Sequence, residues 1–270
     1  MQVDGVGAAR WESLGWRCQD TPIPVVYVGT PGPTRKAVVH LVERTTGKCR
    51  AVVKVPLTEQ AKAVVLREAD VLETLEREHY RLAPRLLQAD RARGTATQTF
   101  VEGRSGERTL TAEHWNLLRT LRRPGTATSL AAHADRWWCG GERWAASELR
   151  DESSLPAYWE HGDFAPWNIR QLADGECALV DWESARRSGL PLLDAFHFLH
   201  MQDFLFGETP RVHAPRLWDE AQAMGIAAPQ VRKLEIAYLL IAAVECSRSG
   251  NVRRLRFVRS TLELIRERAA

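Results

Sequence analysis

His161, Asp163 and Asn168 stand within the short stretch "HGDFAPWNI", and Asp181 follows in "ALVDWESA". Asn168 comes five residues after Asp163, and Asp181 comes eighteen after it, at the end of an apolar run. Phosphoryl transfer from a nucleoside triphosphate needs such a set. One group must orient an attacking hydroxyl and take its proton, and oxygen ligands must hold the Mg2+ that bridges the phosphates. Asp163 suits the first task. Asn168 and Asp181, a neutral and an anionic oxygen donor, suit the second. Two Asx residues alone would do no more than shape a turn, but the whole pattern points to chemistry.

These residues need elements to carry them. "PVVYVG" (24–29), "AVVHLV" (37–42) and "RAVVKV" (50–55) are β-branched runs, and Thr46-Gly47 favours a hairpin between the last two. Three antiparallel strands are expected there. From Ala61 to Leu75 the period changes. Val64, Val65, Leu72 and Leu75, with Ala61, Ala69 and Val71, recur at helical spacing, with Thr58 as N-cap and Glu59 and Gln60 in the first turn. "APRLLQAD" and "TATQTFVEG" read as two further strands. After Gly103 the segments "EHWNLLRTL", "SLAAHADRWW", "LLDAFHFLHMQ", "LWDEAQAM", "VRKLEIAYLLIAAVEC" and "LRFVRSTLELIRER" carry helix-period apolar residues. Among these helices, "WNIRQLADGECALVDW" reads as a short strand pair turning at Asp174-Gly175.

The constellation resembles the catalytic and metal-binding loops of the aminoglycoside phosphotransferase and choline kinase group, relatives of protein kinases. His161, Asp163, Asn168, Asp181 and Trp182 match its HGD loop, its following Asn and its later Asp-aromatic pair. The resemblance implies an α+β, bilobal protein-kinase-like fold. A small antiparallel-sheet lobe with one main helix would span 1–101, and a larger, mostly helical lobe with catalytic loop and acceptor site would span 102–270. It also implies a lysine on the third strand and a glutamate on the next helix. "AVVKVP" supplies Lys54 and "LREADVLETL" supplies Glu68, with Glu73 the alternative in another helix register. In the kinase template the lysine holds phosphate oxygens and the glutamate holds its ammonium in place. The lobes would join at "TFVEGRS", where backbone groups from Val101 to Gly103 would meet the base. "GLPLLDAF" matches a Gly-x-Pro-x-x-Asp segment, so Asp194 either braces the catalytic-loop backbone or is an ordinary acid at a helix start. His161 is expected to pack the loop, not to act as a base. The implied cofactors are ATP, with GTP as an alternative donor, and Mg2+.

The departures from protein kinases narrow the expected acceptor. Gly162 replaces the arginine that links a catalytic loop to an activation-loop phosphate, and Trp182-Glu183 replaces Phe-Gly. Only a few residues separate Asp181 from Gly189, too few to present a peptide. A small hydroxyl acceptor is expected: a sugar, an aminoglycoside-like antibiotic or an amino alcohol. Eight Asp/Glu between Arg104 and Glu160 are matched by eight Arg/Lys, so no acidic excess marks a polycation pocket. The turn "GTPGPTRK" occupies the place of a nucleotide-covering loop, yet its prolines remove amide donors. Thr30, Thr34, Arg35 or Lys36 would have to replace them. The competing function is a catalytically silent nucleotide-binding scaffold. Its mark is loss of the lysine, the catalytic Asp or the metal Asp, and all three are here.

Composition excludes other classes. The 270 residues are 44% apolar and 26% charged, with a formal net charge of +3. That balance gives no electrostatic case for a nucleic-acid partner, and Arg253, Arg254, Arg256 and Arg259 read as a solvated helix face. Five scattered cysteines without a CxxC pair argue against a disulfide framework or structural zinc, and Cys139 in "WWCGGERW" reads as a buried or tolerated thiol. The opening segment lacks a signal-peptide core. The longest apolar run, Ile236 to Val244, has nine residues, too few to span a bilayer. A cytoplasmic protein is expected, and its oligomeric state is left open.

Overall fold

A computed structural model of the protein describes residues 21–137 and 143–268. The opening segment with Cys18, and Cys139 with its neighbours 138–142, lie outside the described residues. Cys49, Cys177 and Cys246 are free thiols. Among the described residues no helix is long and apolar enough to cross a membrane. The chain divides into two compact units, Met1–Arg104 with Arg170–Ser184, and Ser105–Ile169 with Ala185–Ala270.

The first unit is built on a five-stranded sheet. Its strands are β1 (Ile23–Val28), β2 (Lys36–Val42), β3 (Cys49–Pro56), β4 (Leu86–Asp90) and β5 (Thr95–Thr99), in the order β1-β2-β3-β5-β4. All neighbours are antiparallel, and Lys54 of β3 lies opposite Ala96 of β5. Period-2 alternation sends Val39, Leu41, Ala51 and Val53 into one core cluster. The helix α1 (Glu59–Arg77) follows β3, capped by Thr58, whose hydroxyl accepts from Ala61 N at 3.0 Å. Its buried stripe of Ala61, Val65, Glu68, Ala69, Leu72 and Leu75 recurs at helical spacing. Val65 and Ala69 pack on Ala96, the neighbour of Lys54, so the helix covers the face on which that lysine points. Burying each Val or Leu of the stripe contributes roughly 1.5–3 kcal/mol.

Residues 170–184, expected within the helical lobe, belong instead to the sheet unit. Leu179 N donates to Leu82 O at 2.8 Å, and Trp182 N donates to Glu68 Oε1 at 3.2 Å. Arg104–Ser105 (β6) lies beside the hairpin of β9 (Ile169–Gln171) and β10 (Cys177–Leu179).

The second unit is mainly helical. Its helices are α2 (Ala112–Thr120), α3 (Arg143–Glu148), α4 (Leu193–Leu205), α5 (Trp218–Ala223), α6 (Ala228–Ser249) and α7 (Val252–Glu267). The longest apolar run is the middle of α6, where residues from Ile236 to Val244 are all buried. It also holds a three-stranded sheet, order β11-β8-β7, of β7 (Arg122–Thr128), β8 (Leu155–Glu160) and β11 (Arg186–Gly189). The sequence gives these strands little signal. "RRPGTAT" and "RRSG" have no apolar alternation, because both flank β8 and are largely solvent-facing. The expected helix "SLAAHADRWW" is, within the described residues, a 3-10 helix at Ala131–Arg136.

Candidate active site

β8 delivers the chain to the HGD loop, and the loop is fixed from two sides. Asp194, in the first turn of α4, accepts from His161 N at 2.7 Å and Gly162 N at 2.9 Å. It therefore braces the loop backbone and sits at a helix start, uniting the two roles weighed for it. Burial, and then Glu160, push its carboxyl up to about 7. Gly162 has φ of 81°, a left-handed conformation that glycine adopts without strain. His161 is fully buried and its Nδ1 accepts from Asp163 N at 3.3 Å, a packing role. Phe164 is also fully buried, against Phe198 of α4 at 5.9 Å between centroids, which accounts for an aromatic inside the loop. At the end of β8, Arg136 binds Glu160 in a fork, Nη1 to Oε2 at 2.8 Å and Nη2 to Oε1 at 2.5 Å.

Asp163 and Asn168 meet within this unit. Asn168 Nδ2 donates to Asp163 Oδ2 at 2.8 Å and to its carbonyl oxygen at 2.9 Å. The amide nitrogen is thereby committed, which orients the side-chain oxygen of Asn168 away as the atom suited to a cation. The other carboxylate oxygen of Asp163 faces His197 Nε2 at 3.2 Å. Burial works against the Asp163 anion, but His197, His161 and Asn168 outweigh it and hold its pKa below the usual aspartate value. His197 was not singled out in the sequence. Its signal is the i+3 spacing from Asp194, which puts both side chains on one helix face.

Lys54, Glu68 and Asp181 meet within the first unit. Lys54 Nζ lies 2.7 and 2.5 Å from the two Glu68 oxygens and 2.5 Å from Asp181 Oδ1. Glu73, the alternative partner, is instead 3.9 Å from Arg91. Burial disfavours the Lys54 ammonium, yet the two carboxylates hold its pKa above the ordinary lysine value. Burial likewise opposes ionised Asp181, and Lys54 and Lys36 overcome it, keeping that carboxyl far below the usual range. Lys36 Nζ contacts Asp181 Oδ1 at 3.3 Å and also pairs with Glu183. Asp181 itself holds φ of 67°, uncommon for a residue with a side chain. Trp182 anchors it: fully buried, it donates from Nε1 to Leu179 O at 2.9 Å and meets Tyr80 edge-on at 5.7 Å.

The carboxylate oxygens here are hard donors of the kind a divalent cation takes, and in this structure Lys54 and Lys36 engage them. One oxygen each from Glu68, Asp181 and Glu183 lie within 4.8 Å of one another. Gly103 lines a depression of about 680 Å3 together with Glu102, Arg104, Gln171 and Gly175. A Cβ on Gly103 would stand 2.7 Å from Gln171 O, so only glycine fits. Val101 is not among the lining residues. The "GTPGPTRK" turn spends two of its amides internally, Gly29 N on Lys36 O and Arg35 N on Gly32 O.

The sequence matches no protein-family model and no curated protein. The fold does find relatives among solved structures. Choline kinase LicA from Streptococcus pneumoniae is 12% identical, with 96% of this chain and 97% of that one covered at a TM-score of 0.60. Ethanolamine kinase from Plasmodium vivax is 11% identical over 97% of this chain and 84% of that one, at 0.57. Macrolide 2'-phosphotransferase MphH from Brachybacterium faecium is 14% identical over 88% and 92%, at 0.55. With an antiparallel sheet and one main helix in one unit and a mainly helical second unit, the chain has the protein-kinase-like fold of the aminoglycoside phosphotransferase and choline kinase group.

Proposed function

We propose that the protein is a small-molecule O-phosphotransferase that moves the γ-phosphoryl group of ATP, or of GTP, to a hydroxyl of a sugar, an aminoglycoside-like antibiotic or an amino alcohol. One observation carries the reading. Lys54, Glu68 and Asp181, separated by up to 127 residues, form one ammonium–carboxylate cluster in which Lys54 and Glu68 are buried and Asp181 is partly exposed. A buried cation with two anions is poor value as a stabilising device, because desolvation offsets most of the attraction. It is well suited to a triphosphate, whose oxygens can take up the ammonium.

In this reading Lys54 neutralises phosphate oxygens, and Glu68 keeps its ammonium from swinging away. Asp163 orients the acceptor hydroxyl and takes its proton as the new O–P bond forms and the bond to the nucleoside diphosphate breaks. Its depressed pKa keeps it ionised and ready as a hydrogen-bond acceptor. Asn168 and Asp181 would hold Mg2+, which would supply charge neutralisation at the phosphates. Val101 and Gly103 would offer backbone groups to the base, the glycine because a side chain would collide with Gln171 O.

The test compares Asp163→Asn and Asp181→Ala with the parent chain in ADP release against sugars, aminoglycosides and amino alcohols. Asp163→Asn should lose at least about a hundredfold in turnover, the scale of a lost general base, while nucleotide binding by calorimetry persists. Asp181→Ala should lose both. Parent-like turnover in Asp163→Asn would refute the assignment.

A further inference from the structure

Asp163 does not stand alone. Its Oδ1 faces Nε2 of His197 at 3.2 Å, while Oδ2 is taken by Asn168. An ionised carboxylate only accepts, so the facing nitrogen must carry the proton, which fixes the Nε2–H tautomer or the imidazolium. His197 rides on α4, the helix whose Asp194 holds the loop backbone, so one rigid element sets both the loop and its carboxylate. The imidazole is held in turn. Its ring stands edge-on to Tyr238 of α6, 6.0 Å between centroids at 89°. Tyr238 stacks on His200 at 5.4 Å and 11°, and its hydroxyl accepts from Arg254 at 3.3 Å. Burial pushes that phenol up to about 12, so it stays neutral behind the dyad.

Resting on the reading that Asp163 receives the acceptor proton, we propose that His197 is its positioning residue: the Nε2–H bond locks the carboxylate rotamer and leaves a lone pair of Oδ1 for the acceptor hydroxyl. His197 relays nothing. The acceptor proton goes to Asp163 as the O–P bond forms, and the imidazole keeps its own. The titratable groups facing Asp163 are His161 from its own loop and His197 from α4. Because His161 is locked onto the Asp163 amide in packing the loop, His197 is the imidazole that meets Oδ1 of the carboxylate.

Four chains decide the matter: the parent, His197→Ala, His197→Gln and His197→Phe. Gln returns an N–H at about the reach of Nε2, whereas Phe fills the space beside Tyr238 without a donor. Two measurements are made on each. The first is nucleotide affinity by calorimetry. The second is ADP release from Mg-ATP with water as acceptor. His197→Ala and His197→Phe should lower kcat about tenfold to a hundredfold with KM for ATP and nucleotide affinity unchanged. His197→Gln should restore most of the lost kcat. A thermal melt screens for folding, and if the alanine chain unfolds, the Gln and Phe chains still decide.

A Phe chain with parent-like kcat would overturn the proposal in favour of plain packing, as would a Gln chain no better than Phe. Hydrolysis that survives Asp163→Asn refutes the phosphotransferase role of Asp163, whereas hydrolysis lost in Asp163→Asn but unchanged in His197→Phe refutes only the positioning role of His197.

Discussion

Lys54 and Glu68 stand fourteen residues apart and meet head-on, with Nζ 2.7 Å from Oε1 and 2.5 Å from Oε2. Their side chains are 6% and 2% exposed. Removing one member strands the other charge away from water, which typically costs roughly 3–5 kcal/mol. Lys54→Met should therefore lower unfolding stability in urea by that order. Glu68→Gln should cost less, because Asp181 still faces the ammonium. Equal losses in the two variants would mean that Asp181 does not share the lysine.

Lys36 brings a second ammonium to Asp181, 3.3 Å from its Oδ1, and also pairs with Glu183. It occupies oxygens that a divalent cation would use. Removing it should release them, so Lys36→Met is expected to bind Mn2+ more tightly without nucleotide. A gain of about tenfold, or about 1.4 kcal/mol, is the scale to look for in an EPR titration of free Mn2+. Weaker Mn2+ binding in the variant would show that Lys36 does not compete for the carboxylates.

The sequence was most legible where local physics decides. The three β-branched runs became β1 to β3, and Thr58 became the cap of α1, because alternation and capping are written within a few residues. Glu68 is legible only through the resemblance, which asks for a glutamate on the helix after β3 and leaves Glu73 open, and its place in the buried stripe of α1 is a finding of the structure. β7 and β11 were not legible. Their side chains face solvent, and only pairing with β8, distant in the chain, makes them strands. The site splits along the same line. Asp163, Asn168 and Asp181 are proposed from their spacing, whereas the contacts of His197 with Asp163 and of Lys36 with Asp181 join residues far apart in the chain, which no short window contains.

Gly189 tests the sheet that the sequence hid. β11 crosses β8 so closely that a Cβ at Gly189 would stand 2.5 Å from Glu160 Cβ and 3.2 Å from Glu160 N. The neighbour is backbone and the root of a side chain pinned by Arg136, so neither can yield cheaply. Gly189→Ala should destabilise the fold by roughly 1–3 kcal/mol, the range for overpacking. Gly125, whose Cβ would meet nothing within 4 Å, is the control. Its φ of 69° adds only a backbone penalty of about 1 kcal/mol on alanine substitution. A Gly189→Ala melting temperature at or above that of Gly125→Ala would contradict the close crossing.

Asp194 sets a pH dependence whose sign can be worked out. Its carboxyl is raised from 3.8 to about 7 by burial and by Glu160, despite the two amides it accepts from. Between those values the folded chain holds a proton that the unfolded chain has released, so stability falls as pH rises. The contribution is complete below about pH 4, is lost through pH 7, and is flat above. A shift of this size corresponds to roughly 2–4 kcal/mol. Asp194→Asn cannot titrate, and its amide leaves one oxygen for two backbone donors. The variant should be less stable than the parent at pH 5, with the gap narrowing by pH 8. Urea unfolding at the two pH values measures this directly, and a gap that stays constant or widens would show that Asp194 is ionised throughout, held by His161 N and Gly162 N.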